Sequence, residues 1–132
     1  MSLSEEERRA IVDYRIEKAR AAMSDINKVM PLELWSIIAN RMYYALYYAA
    51  SALLIRDGLR IGTHKGVISM FNLHYVKDGP LDREEGALFA KVFAFRQGSD
   101  YDDFIDATEE DVKRYLPRVE ALLEKIISLT NE

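Results

Sequence analysis

The segment PLELWSIIANRMYYALYYAASALLIRDG, residues 31–58, is apolar on nearly every side of the helix it would form. A helix with no polar face is stable in water only when other helices cover it. This stretch therefore predicts a central helix with a bundle built around it. Gly58 follows as its cap, because glycine enters the left-handed conformation without a steric cost.

The other segments carry the one-sided patterning that covering helices need. Ser4 and Glu7 have capping-box spacing, and after them Val12, Ile16, Ala19, Met23, Ile26 and Met30 recur at steps of four and three. Pro31 ends that helix or opens the next. A shorter helix is expected from Thr63 through Val67, Ile68, Phe71 and Tyr75 to the Gly79-Pro80 break. Asp82 and Glu85 repeat the capping-box spacing, and the helix they open carries Leu88, Val92 and Phe95 alongside Phe89, Phe93 and Arg96, stopping at Gly98. The last helix starts at Thr108 with Glu109, Glu110 and Asp111 in the turn where the helix dipole favours negative charge. It continues through Val112, Leu116, Val119, Leu123 and Ile126, and Pro117 is expected to kink it or divide it in two. No window alternates with period two between turn signals, so no sheet is expected. The reading is an all-α bundle of about five helices, and 132 residues suit one domain spanning 1–132.

Composition removes several kinds of chemistry. There is no cysteine, hence no disulfide framework, thiolate metal site or cysteine nucleophile, which fits a reducing cytoplasm. The N-terminus MSLSEEERR is acidic and polar where a signal peptide is basic and then apolar. The apolar run LYYAASALLI is about half the length that spans a bilayer, so no membrane association is expected. A formal net charge of −4 argues against general affinity for a nucleic-acid backbone and leaves room for a local basic patch.

No metal or cofactor is expected. His64 and His74 are the two histidines, and neither follows a glutamate at the spacing a di-metal bundle uses. Asp100, Asp102 and Asp103 lack the glycine and terminal glutamate of a calcium loop, and no glycine-rich phosphate loop is present.

Three stretches offer polar groups where apolar ones are expected. In NRMYYALYYAA, residues 40–50, Arg41 shares a side with Tyr44, Ala45 and Tyr48, while Asn40, Tyr43 and Tyr47 form the adjacent stripe. The tyrosines can simply bury their rings and find hydroxyl partners, or Asn40 and Arg41 can point into a polar cleft. RDGLRIGTHKG, residues 56–66, gathers Arg56, Arg60, His64 and Lys65 near a helix start, where backbone N–H groups favour an anion. In FRQGSDYDDF, residues 95–104, Arg96 suits the last turn of a helix, yet it falls on the face of Phe89, Val92 and Phe93, where an arginine needs a partner or a ligand.

Taken in order, NRMYYALYYAASALL, THKGVISMF, LDREEG and FRQGSDYDDF resemble the HEPN superfamily, the higher-eukaryote and prokaryote nucleotide-binding domains, and the chain is similar to its small stand-alone members. The resemblance implies an up-and-down helical bundle that commonly dimerises. Many such proteins are metal-independent ribonucleases with an arginine, four to six residues and a histidine in a cleft between two protomers. Others are non-catalytic partners of minimal nucleotidyltransferases, in toxin–antitoxin-like pairs. Arg96 matches the motif's arginine, whereas Tyr101 stands at the histidine's position and no histidine follows it. An unperturbed tyrosine, with a pKa of about 10, is a poor general base.

The leading expectation is therefore a homodimeric binding module. It would hold nucleotide, RNA or a nucleotidyltransferase at Arg96 and Tyr101, with Arg41, Tyr44, His64 and Lys65 contributing. A ribonuclease in which Tyr101 or Asp100 replaces the histidine is the alternative from the enzyme class. The third reading is a purely structural interaction protein, with Arg96 paired to Asp100, Asp102 or Asp103.

Overall fold

A computed structural model describes residues 3–101 and 107–132, with side chains described as far as Arg96 in the first of these spans. Five helices run in the order α1 (Glu5–Val29), α2 (Trp35–Arg56), α3 (His64–Asn72), α4 (Arg83–Tyr101) and α5 (Glu109–Thr130). They form an up-and-down bundle, with no strand among the described residues. No helix among them is long and apolar enough to cross a membrane.

Three of the four expected starts are closed by reciprocal side-chain bonds. Ser4 and Glu7 cap α1 at 3.0 Å in both directions, Asp82 and Glu85 cap α4 at 2.9 and 2.8 Å, and Thr108 pairs with Asp111 at α5. Each box satisfies two backbone N–H groups that no carbonyl reaches within the helix. Glu85 also takes a 2.6 Å ion pair from Lys125, tying the start of α4 to α5.

The central position of α2 follows from its composition. Ile38, Ala39, Met42, Tyr43, Ala45, Leu46, Ala49, Ala50 and Ala52–Leu54 are all fully buried, and α2 packs against α1, α3, α4 and α5. Its alanines let neighbouring backbones approach closely. Seam residues Val12, Ala19 and Ile26 of α1 are buried against it, while Ile16, Met23 and Met30 are covered in part.

Four boundaries needed the structure. Pro31 ends α1 inside a short 3₁₀ turn, Met30–Leu32, and α2 begins only at Trp35. Pro117 lies within an unbroken α5, so the helix is not divided there. The proline costs about 3 kcal/mol of helix stability, which the burial of Val119, Leu122, Leu123 and Ile126 offsets. Gly98 does not stop α4, which extends to Tyr101. Beyond Asn72, α3 widens into a single π turn, Leu73–Lys77, that presents the Tyr75 hydroxyl to the Leu53 carbonyl at 3.2 Å and to Asp57 at 2.6 Å.

The ends of α2 and α5 are closed by arginines. Arg8 donates to the Ile55 carbonyl at 2.8 Å and Arg9 to the Thr130 carbonyl at 2.9 Å. Arg56 donates to the Leu129 carbonyl and pairs with Asp57 at 2.9 Å. Cations at helix C-termini satisfy orphan carbonyls and oppose the dipole's negative end.

Gly58 has φ 76°, as its capping role requires. A Cβ there meets only the Arg8 guanidinium, at 4.0 Å, so Gly58→Ala is opposed by backbone conformation rather than by collision. The expected loss is about 1–2 kcal/mol, measured by urea unfolding. Gly62→Ala, whose Cβ has nothing within 4 Å, is expected to be neutral or slightly stabilising.

Candidate anion site of arginines, tyrosines and a histidine

The site begins with Tyr43. It faces inward on the central helix and is wholly removed from solvent, so its hydroxyl must find a partner. The partner is His64 Nδ1, at 2.6 Å, on the first residue of α3. Thr63 caps that helix by accepting from the Gly66 N–H at 3.0 Å, which fixes where His64 leaves the backbone. Burial pushes the Tyr43 hydroxyl well above the ordinary tyrosine range, reinforced by Tyr47 and Tyr44 and opposed by Arg96. The phenol accordingly keeps its proton; where it donates to Nδ1, the imidazole hydrogen sits on Nε2.

Tyr47 lies flat on the other side of this pair, its ring centroid 4.4 Å from that of His64 at an interplanar angle of 17°. Phe89 and Phe93 of α4 close around Tyr43 at 6.1 and 5.3 Å. The same α4 face carries Arg96. Its guanidinium lies 5.7 Å from the Tyr43 centroid and 5.4 Å from that of Tyr44, with Nη2 3.4 Å from the Tyr44 hydroxyl. Arg41 approaches the Tyr44 ring as well, at 5.2 Å. It donates to Asn40 Oδ1 at 2.9 and 3.2 Å and stands 4.0 Å from Asp25.

Two guanidiniums thus share one tyrosine ring, beside a histidine. Cation–π contact is worth about 0.5–2 kcal/mol per pair and helps to hold the like charges together. The field they create is positive and partly shielded from water. His64 responds to it. Burial first, and the Arg96 charge second, lower its pKa below the usual imidazole value, so the ring stays neutral at physiological pH and offers an N–H donor rather than a charge. An anionic oxygen, and above all a phosphate, is the species these groups can bind together.

Of the residues expected from sequence, the structure brings Arg96, Arg41, Tyr44 and His64 into one cluster. Lys65 is exposed on the next position of α3. Arg56 belongs to the C-terminal caps of α2 and α5 instead, and Arg60 is exposed. Tyr101 is the last residue of α4. Its side chain and that of Asp100, together with Asp102 and Asp103, lie outside the described residues. The sequence showed two tyrosine rows but nothing that tied His64 to Tyr43, which is 21 positions away. Among the described residues no group of three His, Asp or Glu side chains gathers as metal ligands do.

An all-α bundle with an arginine held on an aromatic face is the class of protein defined here. The model of the HEPN domain family matches residues 12–129, and the chain belongs to that family. It is 33% identical over 126 residues to a UPF0332 protein of Thermotoga maritima, with 96% of each chain covered. Two Methanocaldococcus jannaschii proteins, named "Putative toxin MJ0142" and "Putative toxin MJ0605", are 28% and 30% identical. The first match covers 83% of this chain and 75% of that protein, the second 84% and 82%.

The hydrogen-bonded geometry predicts an Nε2–H tautomer and a His64 titration midpoint below 6.5, both readable by nitrogen NMR. Arg96→Ala removes one of the two causes and moves the midpoint upward. Because the folded-state value is depressed, the unfolded chain takes the proton first. Stability from this group is complete above about pH 6.5 and is lost as pH falls from there through the folded value. His64→Gln is expected to flatten that acid limb in urea unfolding.

Proposed function

We propose that the chain is the HEPN half of a toxin–antitoxin-type pair, a cytoplasmic homodimer that binds nucleotide or RNA phosphate without cleaving it. Its protein partner in this reading is a minimal nucleotidyltransferase. The observation that carries the binding role is the pairing of Arg41 and Arg96 on the Tyr44 ring next to a neutral His64. A phosphate entering there meets two guanidiniums, and the rings offer a base a surface to stack on. In the dimer, two copies of the Arg96 cluster face one cleft, and Tyr101 supplies a hydroxyl or a ring from the end of α4.

Cleavage of RNA at the 2′-hydroxyl needs a group that takes up a proton near neutral pH. His64 Nδ1 is engaged by Tyr43, and Nε2 bears the hydrogen. The imidazole therefore serves better as a donor to phosphate oxygen than as a base, which favours binding over catalysis.

A ribonuclease remains the second reading, supported by the toxin names of two relatives and by a histidine beside Arg96 that comes from α3 rather than from the motif. In that reading Arg96 stabilises the phosphorane charge.

One pair of measurements separates the readings. Fluorescence anisotropy with labelled oligoribonucleotide is expected to show binding that Arg96→Ala weakens about tenfold or more, with no product after long metal-free incubation. Products that disappear in Arg96→Ala and His64→Ala support the ribonuclease. No affinity in the folded wild-type protein at micromolar concentration overturns the binding assignment.

A further inference from the structure

The Arg96 cluster does not end at Tyr44. Tyr48, one helical turn further along α2, has its ring centroid 5.8 Å from Tyr44 and 5.7 Å from Tyr47. On its far side it meets two cations of α1, the Arg15 guanidinium at 6.0 Å and the Lys18 ammonium at 5.8 Å. Lys18 in turn stands 5.5 Å from the ring of Tyr14, which is 56% exposed although it is a large aromatic side chain. Ring contacts, with cations at either end of the tyrosine pair, therefore run from the start of α3, across α2, to the outer face of α1.

The charges along this row set it apart from the rest of the helix. Arg9, six residues before Arg15 on α1, is paired to Asp13 at 3.0 Å, and Arg20, just beyond Lys18, to Glu124 at 2.9 Å. Among the described residues, Arg15 and Lys18 face rings and no carboxylate. On a chain of net charge −4, cations left to aromatic faces, continuous with a second pair of cations on Tyr44, form a local positive track. Two pairs of phosphate-binding cations set apart by stackable rings suit a single-stranded nucleic acid, which offers both charged backbone and flat bases; a lone nucleotide would occupy only one end.

We propose that α1 carries the outer half of a single-stranded RNA track. Arg15 and Lys18 take a backbone phosphate next to the one held at Arg96 and Arg41, and Tyr14 stacks on an exposed base. This inference rests on the anion site described above and adds the class of ligand: an oligonucleotide strand longer than one unit.

The test uses the full-length protein, AMP, single-stranded oligoribonucleotides of increasing length, and a duplex of matched sequence. Binding is read by anisotropy and by competition across a salt series, with circular dichroism melts to establish that each variant folds. Affinity is expected to rise with strand length and to favour the single strand over the duplex. The Arg15→Ala/Lys18→Ala double variant is expected to lose about tenfold for the longer strand and nothing for AMP, with the salt slope reduced by about 0.7. Tyr14→Ala is expected to lose affinity for the strand without the change in salt slope. Unchanged strand affinity in the folded double variant overturns the α1 track; if Arg96→Ala still weakens binding, the anion site stands without it. Loss in the double variant but not in Arg96→Ala overturns the anion site and keeps binding on α1. A double variant that instead changes the oligomeric state by sedimentation, with strand affinity intact, assigns the face to a second copy of the chain and overturns the proposal.

Discussion

A tyrosine hydroxyl at the centre of an apolar helix sets the geometry of the functional end of this bundle. Tyr43 is fully buried and its proton needs an acceptor, so α3 has to begin where His64 Nδ1 can lie 2.6 Å away. An unpaired buried hydroxyl would cost about 1–3 kcal/mol, enough to select among ways of seating a nine-residue helix. Once His64 is fixed, Tyr47 stacks on it. Phe89 and Phe93 pack round the phenol, and Arg96, one turn further along α4, is left lying over two tyrosine rings. The cluster is a consequence of core packing carried outward to the surface.

That origin explains what the arrangement can do. The electrostatic environment that would attract a phosphate also keeps His64 neutral, because desolvation and the neighbouring guanidinium both disfavour the imidazolium. The ring therefore contributes direction rather than charge, and the positive charge resides on the two arginines. Affinity arising this way is expected to depend on salt more than on acidity across the neutral range. The family's ribonucleases rely on a histidine that follows the arginine along the chain; here a histidine from another helix reaches the same neighbourhood with one nitrogen already engaged.

Much of the fold was legible because its signals are local. Capping boxes at Ser4 and Asp82 need only a three-residue spacing, and both formed, as did the helix start at Thr108. The all-round apolarity of α2 announced its central place, and the left-handed turn at Gly58 followed from glycine's missing side chain. Arg96 could be recognised as unusual because helical period alone put it on the face of Phe89 and Phe93. What stayed hidden was non-local. Nothing in the sequence joins His64 to Tyr43, Arg8 to the end of α2, or Lys18 to Tyr48. The stop at Gly98 and a division at Pro117 did not occur for a related reason: propensity weighs one residue at a time, whereas helix continuity is decided by the packing of the turns on either side.

The wide turn at the end of α3 bears on where chains of this design can change length. A π turn holds one residue more than an α-helical turn over the same stretch of axis. Removing a residue between Leu73 and Lys77 can therefore tighten the coil locally and leave Leu81 and α4 in their original orientation. The same deletion in α2 would swing everything beyond it by about 100° and scatter the tyrosine rows. Natural drift in length has a built-in outlet at the rear of α3, whereas the ring-bearing helix must keep its residue count.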